Sequence, residues 1–119
     1  MTSDRLTNKF KQIQVSNKVG IILYVTAGVP DMDTTLNIIP RLVSAGADCI
    51  EIGVPFTDPL ADGPTIQKSS SIALRNKVSL TDCLGLVTQI RNEVPDTPLL
   101  LMGYYNPIYQ YGLGRFAKD

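Results

Sequence analysis

The chain has 119 residues, 44% hydrophobic and 18% charged, an ordinary globular composition at about the length of one small domain. Eleven Lys and Arg balance eleven Asp and Glu, which leaves no electrostatic footprint for nucleic acid or an anionic membrane. There is no histidine, so ordinary zinc sites and Ser–His or Cys–His catalysis are excluded, and any acid–base chemistry falls to carboxylates, Lys, Tyr or Cys.

In chain order, Leu6, Phe10 and Ile13 recur at helical spacing and predict a short amphipathic helix from Ser3 to Gln14. The opening MTSDRLTNKF lacks the apolar core of a secretory signal, and no run approaches the roughly 20 apolar residues that span a bilayer. The continuous apolar run from Gly20 to Ala27 reads as a strand of a parallel sheet, buried on both faces. Asp31 is a good helix N-cap, and Leu36, Ile39 and Val43 supply the stripe of the helix that follows. Pro40 is expected to kink that helix or mark it as short. A second strand runs from Cys49 to Gly53. After a Pro/Gly-punctuated loop, Pro64 opens a helix through Leu74 in which Ser69, Ser70 and Ser71 read as a polar face. Ser79 to Asp82 resembles a capping box, and Cys83, Leu84, Val87, Ile90 and Val94 form the next stripe. Leu99 to Gly103 is a third strand, Tyr104 to Tyr111 an aromatic loop, and a new helix starts at Gly112. Alternating strands and helices predict an α/β fold with a parallel sheet, in a single domain over 1–119. A closed eight-fold βα barrel takes about 200 to 250 residues, so the chain is expected to be the first part of something longer.

The stretch DCIEIGVPFTDPLADGP carries the chemistry. Strand alternation puts Ile50, Ile52 and Val54 on one face, and Glu51 on the other with Cys49 and Gly53, which leave room around it. Glu51 lies just before the C-terminal end of its strand, where barrel active sites are built. A carboxylate inside an apolar strand is costly unless it is paired or functional, and spacing alone leaves both a structural ion pair and an acid–base role open. Asp62 is by itself turn or capping chemistry, and Asp58-Pro59 an ordinary loop initiator. Asp62 gains a functional reading because its loop leaves the strand that carries Glu51. Tyr104, Tyr105 and Asn106 either line a pocket for a flat aromatic ligand or pack as a Pro-turn. Gly112-Leu-Gly114-Arg115 is too incomplete for a phosphate loop.

The segments YVTAGVPD, AGADCIEIGVPFTDPLADGPTIQ and LLLMGYYNPIYQYG together resemble the tryptophan synthase alpha subunit family from about Gly20 onward, in the same order and spacing. The resemblance implies the N-terminal part of a (β/α)8 TIM barrel that cleaves indole-3-glycerol phosphate to indole and glyceraldehyde 3-phosphate. This is a retro-aldol reaction with no cofactor in this subunit. Glu51 falls on the family's catalytic glutamate and Asp62 on its second essential acid, which accepts the indole N–H. Tyr24 matches a pocket position that is commonly Phe, and Met102 and Tyr104 match positions that line the indole pocket. Pro55 and Asp58 fall in the loop that contacts a beta subunit, the carrier of pyridoxal phosphate in an alpha2beta2 heterotetramer. The opening helix resembles one that closes the barrel bottom. The resemblance also implies that the phosphate loops and the loop covering the site belong to strands beyond the three seen here. A bacterial cytoplasmic or plastid setting is expected, with no nucleic-acid or membrane partner. Two other readings stand beside it: another phosphate-using βα-barrel enzyme of amino-acid biosynthesis, and a half-barrel that serves only in assembly.

Overall fold

A computed structural model describes residues 4–119. The elements are α1 (Asp4–Ser16), β1 (Ile22–Thr26), α2 (Met32–Ser44), β2 (Cys49–Gly53), α3 (Pro64–Arg75), α4 (Leu80–Glu93), β3 (Leu99–Met102), α5 (Tyr105–Tyr111) and α6 (Leu113–Lys118). The expected start of the first helix at Ser3 lies outside the described residues. The strands form one parallel sheet in the order β1-β2-β3. The register aligns Tyr24 with Glu51, Glu51 with Leu100, Thr26 with Gly53, and Gly53 with Met102. Residues aligned across a sheet share a face, so Tyr24, Thr26, Glu51, Gly53, Leu100 and Met102 lie on one side.

The opposite side holds the core. Ile50 and Ile52 have no exposed surface and pack with Ile39 of α2 and Ile90 of α4, also fully enclosed. Leu23, Val25, Leu99 and Leu101 border the same cluster. Truncating Ile50 to Ala leaves a cavity between sheet and helices. Denaturant titration is expected to show a loss of about 2 to 5 kcal/mol, and an unchanged midpoint would remove Ile50 from the core.

The helix starts follow the capping chemistry in the sequence. Asp31 accepts a hydrogen bond from the Thr34 amide at 2.7 Å. At α4, Ser79 and Asp82 complete a reciprocal capping box. Hydrogen bonds from the Ser79 hydroxyl and amide hold the Asp82 carboxyl below its ordinary value. A depressed carboxyl favours the folded state above the ordinary carboxylate range, and that contribution fades as pH falls through the folded-state value. Ser79→Ala is expected to cost about 1 kcal/mol near neutral pH, and the deficit should shrink in acid unfolding titrations.

Four sequence expectations are corrected. Of the two outcomes expected at Pro40, a short helix is not found: α2 runs on to Ser44, whose hydroxyl bonds the Pro40 carbonyl at 2.9 Å. The stretch Tyr105–Tyr111 is a helix rather than a loop. Pro107 occupies its first turn, where a missing N–H removes no intrahelical bond. The serines of α3 are not simply a polar face: Ser70 is buried, and Ser69 bonds Thr26. The outer strands β1 and β3 are not buried on both faces either: Ile22 is 49% exposed and every residue of β3 is only half-buried, and among the described residues the second face is covered mainly at its base.

That base is closed by α1. Leu6, Phe10 and Ile13 border a small apolar space with Ile22 and Cys49. Lys9 pairs with Asp48 at 3.7 Å, and Arg5 donates to the Pro95 carbonyl at 2.7 Å. Arg91 donates to the carbonyls of Val94, Pro95 and Thr97 ahead of β3. The N-terminal ends of the strands are thus stitched for stability, while the C-terminal ends are left to loops.

Candidate active site at the C-terminal ends of the strands

After β1 the chain turns at Gly28, whose φ of +86° suits glycine and where a Cβ would meet Val78 at 2.3 Å. The Gly28 amide donates to Thr35 Oγ1 at 3.0 Å, and Asn76 of the α3–α4 turn donates to the Gly28 carbonyl at 2.9 Å. The first loop is therefore pinned from two helices.

Glu51 sits mid-strand on the second face, half-buried, with Tyr24 beside it on β1 and Leu100 on β3. Among the described residues no Lys or Arg pairs with it, and no hydrogen bond engages its carboxylate. The structural ion pair that would explain a strand glutamate is not there.

Asp62 follows on a compact loop. Its amide donates to the Pro59 carbonyl at 3.1 Å, and Gln67 Nε2 reaches back from α3 to the Asp62 carbonyl at 2.9 Å. The N-cap of α3 is Gly63, with no side-chain cap bond, so the Asp62 carboxylate is not spent on capping. Tyr104 holds the loop from β3: its hydroxyl accepts from the Ala61 amide at 3.0 Å, and its ring stacks on Phe56 at 4.9 Å. Tyr104 thus packs against the loop, while Tyr105 and Tyr109 are exposed.

Tyr24 lies near both acids. Burial pushes its hydroxyl above the ordinary tyrosine value, and the nearby charges of Asp62 and Glu51 push the same way against a hydrogen bond from Thr26. Both carboxylates therefore lie within electrostatic reach of one phenol. The space expected beside Glu51 is filled by that ring: a Cβ on Gly53 would lie 1.9 Å from Tyr24 Oη. Gly53→Ala must displace Tyr24, and denaturant titration is expected to show a loss of about 1 to 3 kcal/mol from the overpacking. An unchanged midpoint would show that the ring moves aside freely.

The other candidate groups fall away. Burial pushes the Cys83 thiol up to about 12, and Cys49 is raised by burial with Glu51 adding to it, so neither supplies a thiolate near neutral pH. Met102 lies at the C-terminal end of β3 opposite Gly53, on the same face as Glu51. Pro55 is buried inside the loop and Asp58 is exposed, with Thr57 donating to it at 3.1 Å. Larger clefts lie elsewhere: one of about 480 Å³ bordered by Met32, Leu36, Asn76 and Leu86, one of about 420 Å³ bordered by Pro40, Val43 and Val94, and one of about 400 Å³ beside α1. The site is an open face, not a closed cavity. Sequence reasoning missed Gly53 as the seat of Tyr24, and Thr26 and Ser69 as its neighbours. Strand alternation held part of that signal, since Thr26 is two residues from Tyr24.

A parallel βα layer with its helices on one side, and with Glu51 and the loop that carries Asp62 left open on the other, has the form of part of a βα barrel. Comparison with known proteins narrows the class. The family model for the tryptophan synthase alpha chain matches residues 10–119, and the chain belongs to that family. It is 46% identical over 116 residues to the tryptophan synthase alpha chain of Chloroflexus aggregans, covering 98% of this chain and 43% of that protein. It is 44% identical over 117 residues to the alpha chain of Caulobacter vibrioides, with 42% of that protein covered. The crystal structure of tryptophan synthase subunit alpha from Legionella pneumophila superposes with a TM-score of 0.94 at 39% identity, over 98% of this chain and 44% of that one. The chain thus spans less than half the length of the relatives it matches, and its three-stranded sheet is an N-terminal half-barrel.

Proposed function

We propose that this chain supplies the proton-transfer part of a site that cleaves indole-3-glycerol phosphate to indole and glyceraldehyde 3-phosphate. The observation that carries the reading is a pair of carboxylates that no ion pair or cap among the described residues engages: Glu51 on β2, aligned with Tyr24 of β1, and Asp62 on the loop that follows β2. Glu51 gives a proton to the ring carbon that bears the glycerol chain. It takes one from the adjacent hydroxyl as the carbon–carbon bond breaks and the aldehyde forms. Asp62 accepts the ring N–H and stabilises the positive charge that protonation creates there. Tyr24, Met102 and Tyr104 frame the ring. The reaction needs no cofactor in this subunit. Pyridoxal phosphate belongs to a beta subunit, which the exposed Asp58 and the loop shaped by buried Pro55 would meet in an alpha2beta2 assembly.

The test is a chimera in which residues 1–119 replace the matching segment of the Chloroflexus aggregans alpha chain. It is expected to release indole from the substrate, whereas the 119-residue polypeptide alone is expected to give no measurable indole. A folded chimera that releases none contradicts the reading, and a rate from the polypeptide alone contradicts the division of labour.

A further inference from the structure

Asp62 stands one residue outside the helix that follows it. The stretches Asp31-Met-Asp-Thr34 and Asp62-Gly-Pro-Thr65 share a spacing, and each leads into a helix. In the first, Asp31 is the N-cap. Its carboxylate takes the Thr34 amide at 2.7 Å, and its carbonyl takes the Thr35 amide at 3.2 Å, the first bond of α2. In the second, the aspartate is not the cap, although aspartate caps better than glycine. The cap is Gly63, whose carbonyl takes the Gln67 amide at 3.0 Å. Starting α3 one residue earlier would put the Ile66 amide on the Asp62 carbonyl and the Thr65 amide on the Asp62 carboxylate.

The Asp62 carbonyl is already taken. Gln67 reaches back over the first turn of α3, and its Nε2 donates to that carbonyl at 2.9 Å and to the Pro59 carbonyl at 3.4 Å. A side-chain amide carries two hydrogens, one for each acceptor. Ser69 and Thr26, 2.7 Å apart, fix the helix that carries Gln67 against β1.

We propose that Gln67 is a positioning residue: by occupying the Asp62 carbonyl it keeps α3 from starting at Asp62, and so keeps the Asp62 carboxylate free for the site. The proposal rests on the function given above and adds to it a residue that acts through Asp62 without touching the substrate. Gln67 is exposed, so a variant that cannot donate should fold.

Two measurements on the chimera decide it. In the first, NMR follows solvent exchange of the Thr65 amide. Gln67→Leu nearly keeps the side chain's length but cannot donate, and it is expected to slow that exchange several-fold. Gln67→Glu, which repels both carbonyls, should do the same. Adding Asp62→Ala should return the parent rate. Thr65 exchange that is unchanged in both variants overturns the proposal whether or not the protein is active. In the second, Gln67→Leu is expected to lower kcat/KM roughly fivefold, the share of molecules that a cap of ordinary strength would draw away. Gly63→Ser supplies a capping hydroxyl where a side chain meets open space, and it is expected to restore most of the loss in the Gln67→Leu background. In the Asp62→Ala background, Gln67→Leu should change nothing further. A loss that Gly63→Ser does not restore, or an equal loss without the Asp62 carboxylate, makes Gln67 merely structural and overturns the proposal. If the parent is inactive, the catalytic reading fails and Thr65 exchange alone decides the role of Gln67.

Discussion

Glu51→Gln in the chimera is expected to reduce indole formation roughly 10³-fold, within the range for removing a positioned general acid–base group. Glutamine keeps the length and nearly the shape of glutamate, so the half-buried strand position should tolerate it. No ion pair or hydrogen bond among the described residues depends on the carboxylate, so thermal unfolding should be unchanged or slightly improved. This separates the two readings that spacing alone left open. A structural glutamate would lose stability on substitution and leave the rate of folded protein intact. A catalytic one does the reverse. Steady-state kinetics and a melting curve on the same sample make the distinction.

Asp62→Asn is expected to cost roughly 100-fold in kcat/KM, with most of the loss in kcat. The proposed role is to stabilise charge that develops on the ring nitrogen only after protonation, and interactions made in the transition state register in kcat. Asparagine still offers an oxygen to the N–H, so binding should weaken less than turnover. The loop should survive, because its frame is made by other groups: the Asp62 amide to Pro59, Gln67 to the Asp62 carbonyl, and Tyr104 to the Ala61 amide. A variant with normal kcat and a raised KM would reduce Asp62 to a binding contact.

The parts of the fold legible from sequence are those written in local chemistry. β2 begins and ends where the run from Cys49 to Gly53 predicts, because an apolar strand between turn residues has few alternatives. Asp31 and Ser79 cap the helices they were expected to cap. Less legible are the features set by register and packing between segments. The helix at Tyr105–Tyr111 is hidden by Asn106 and Pro107, both weak helix signals, although proline in a first turn is harmless. Three serines in a row look like a wetted face, yet helix rotation carries Ser69 to Thr26 and Ser70 into the interior. The seat of Tyr24 over Gly53 depends on how β1 and β2 align, which neither strand encodes by itself. For the site, alternation placed Glu51 on the correct face, but Asp62 alone read as turn chemistry. Only the cap at Gly63 shows that its carboxylate is not spent on starting the helix.

The most direct test of the account is a crystal structure of the Glu51→Gln chimera with indole-3-glycerol phosphate, a pairing that binds without turning over. The ring is expected to lie against the face formed by Tyr24, Gly53 and Met102, its N–H within hydrogen-bond distance of Asp62 and the glycerol hydroxyl beside residue 51. A ring seated away from this face, or an N–H held by another group while Asp62 faces solvent, would contradict it.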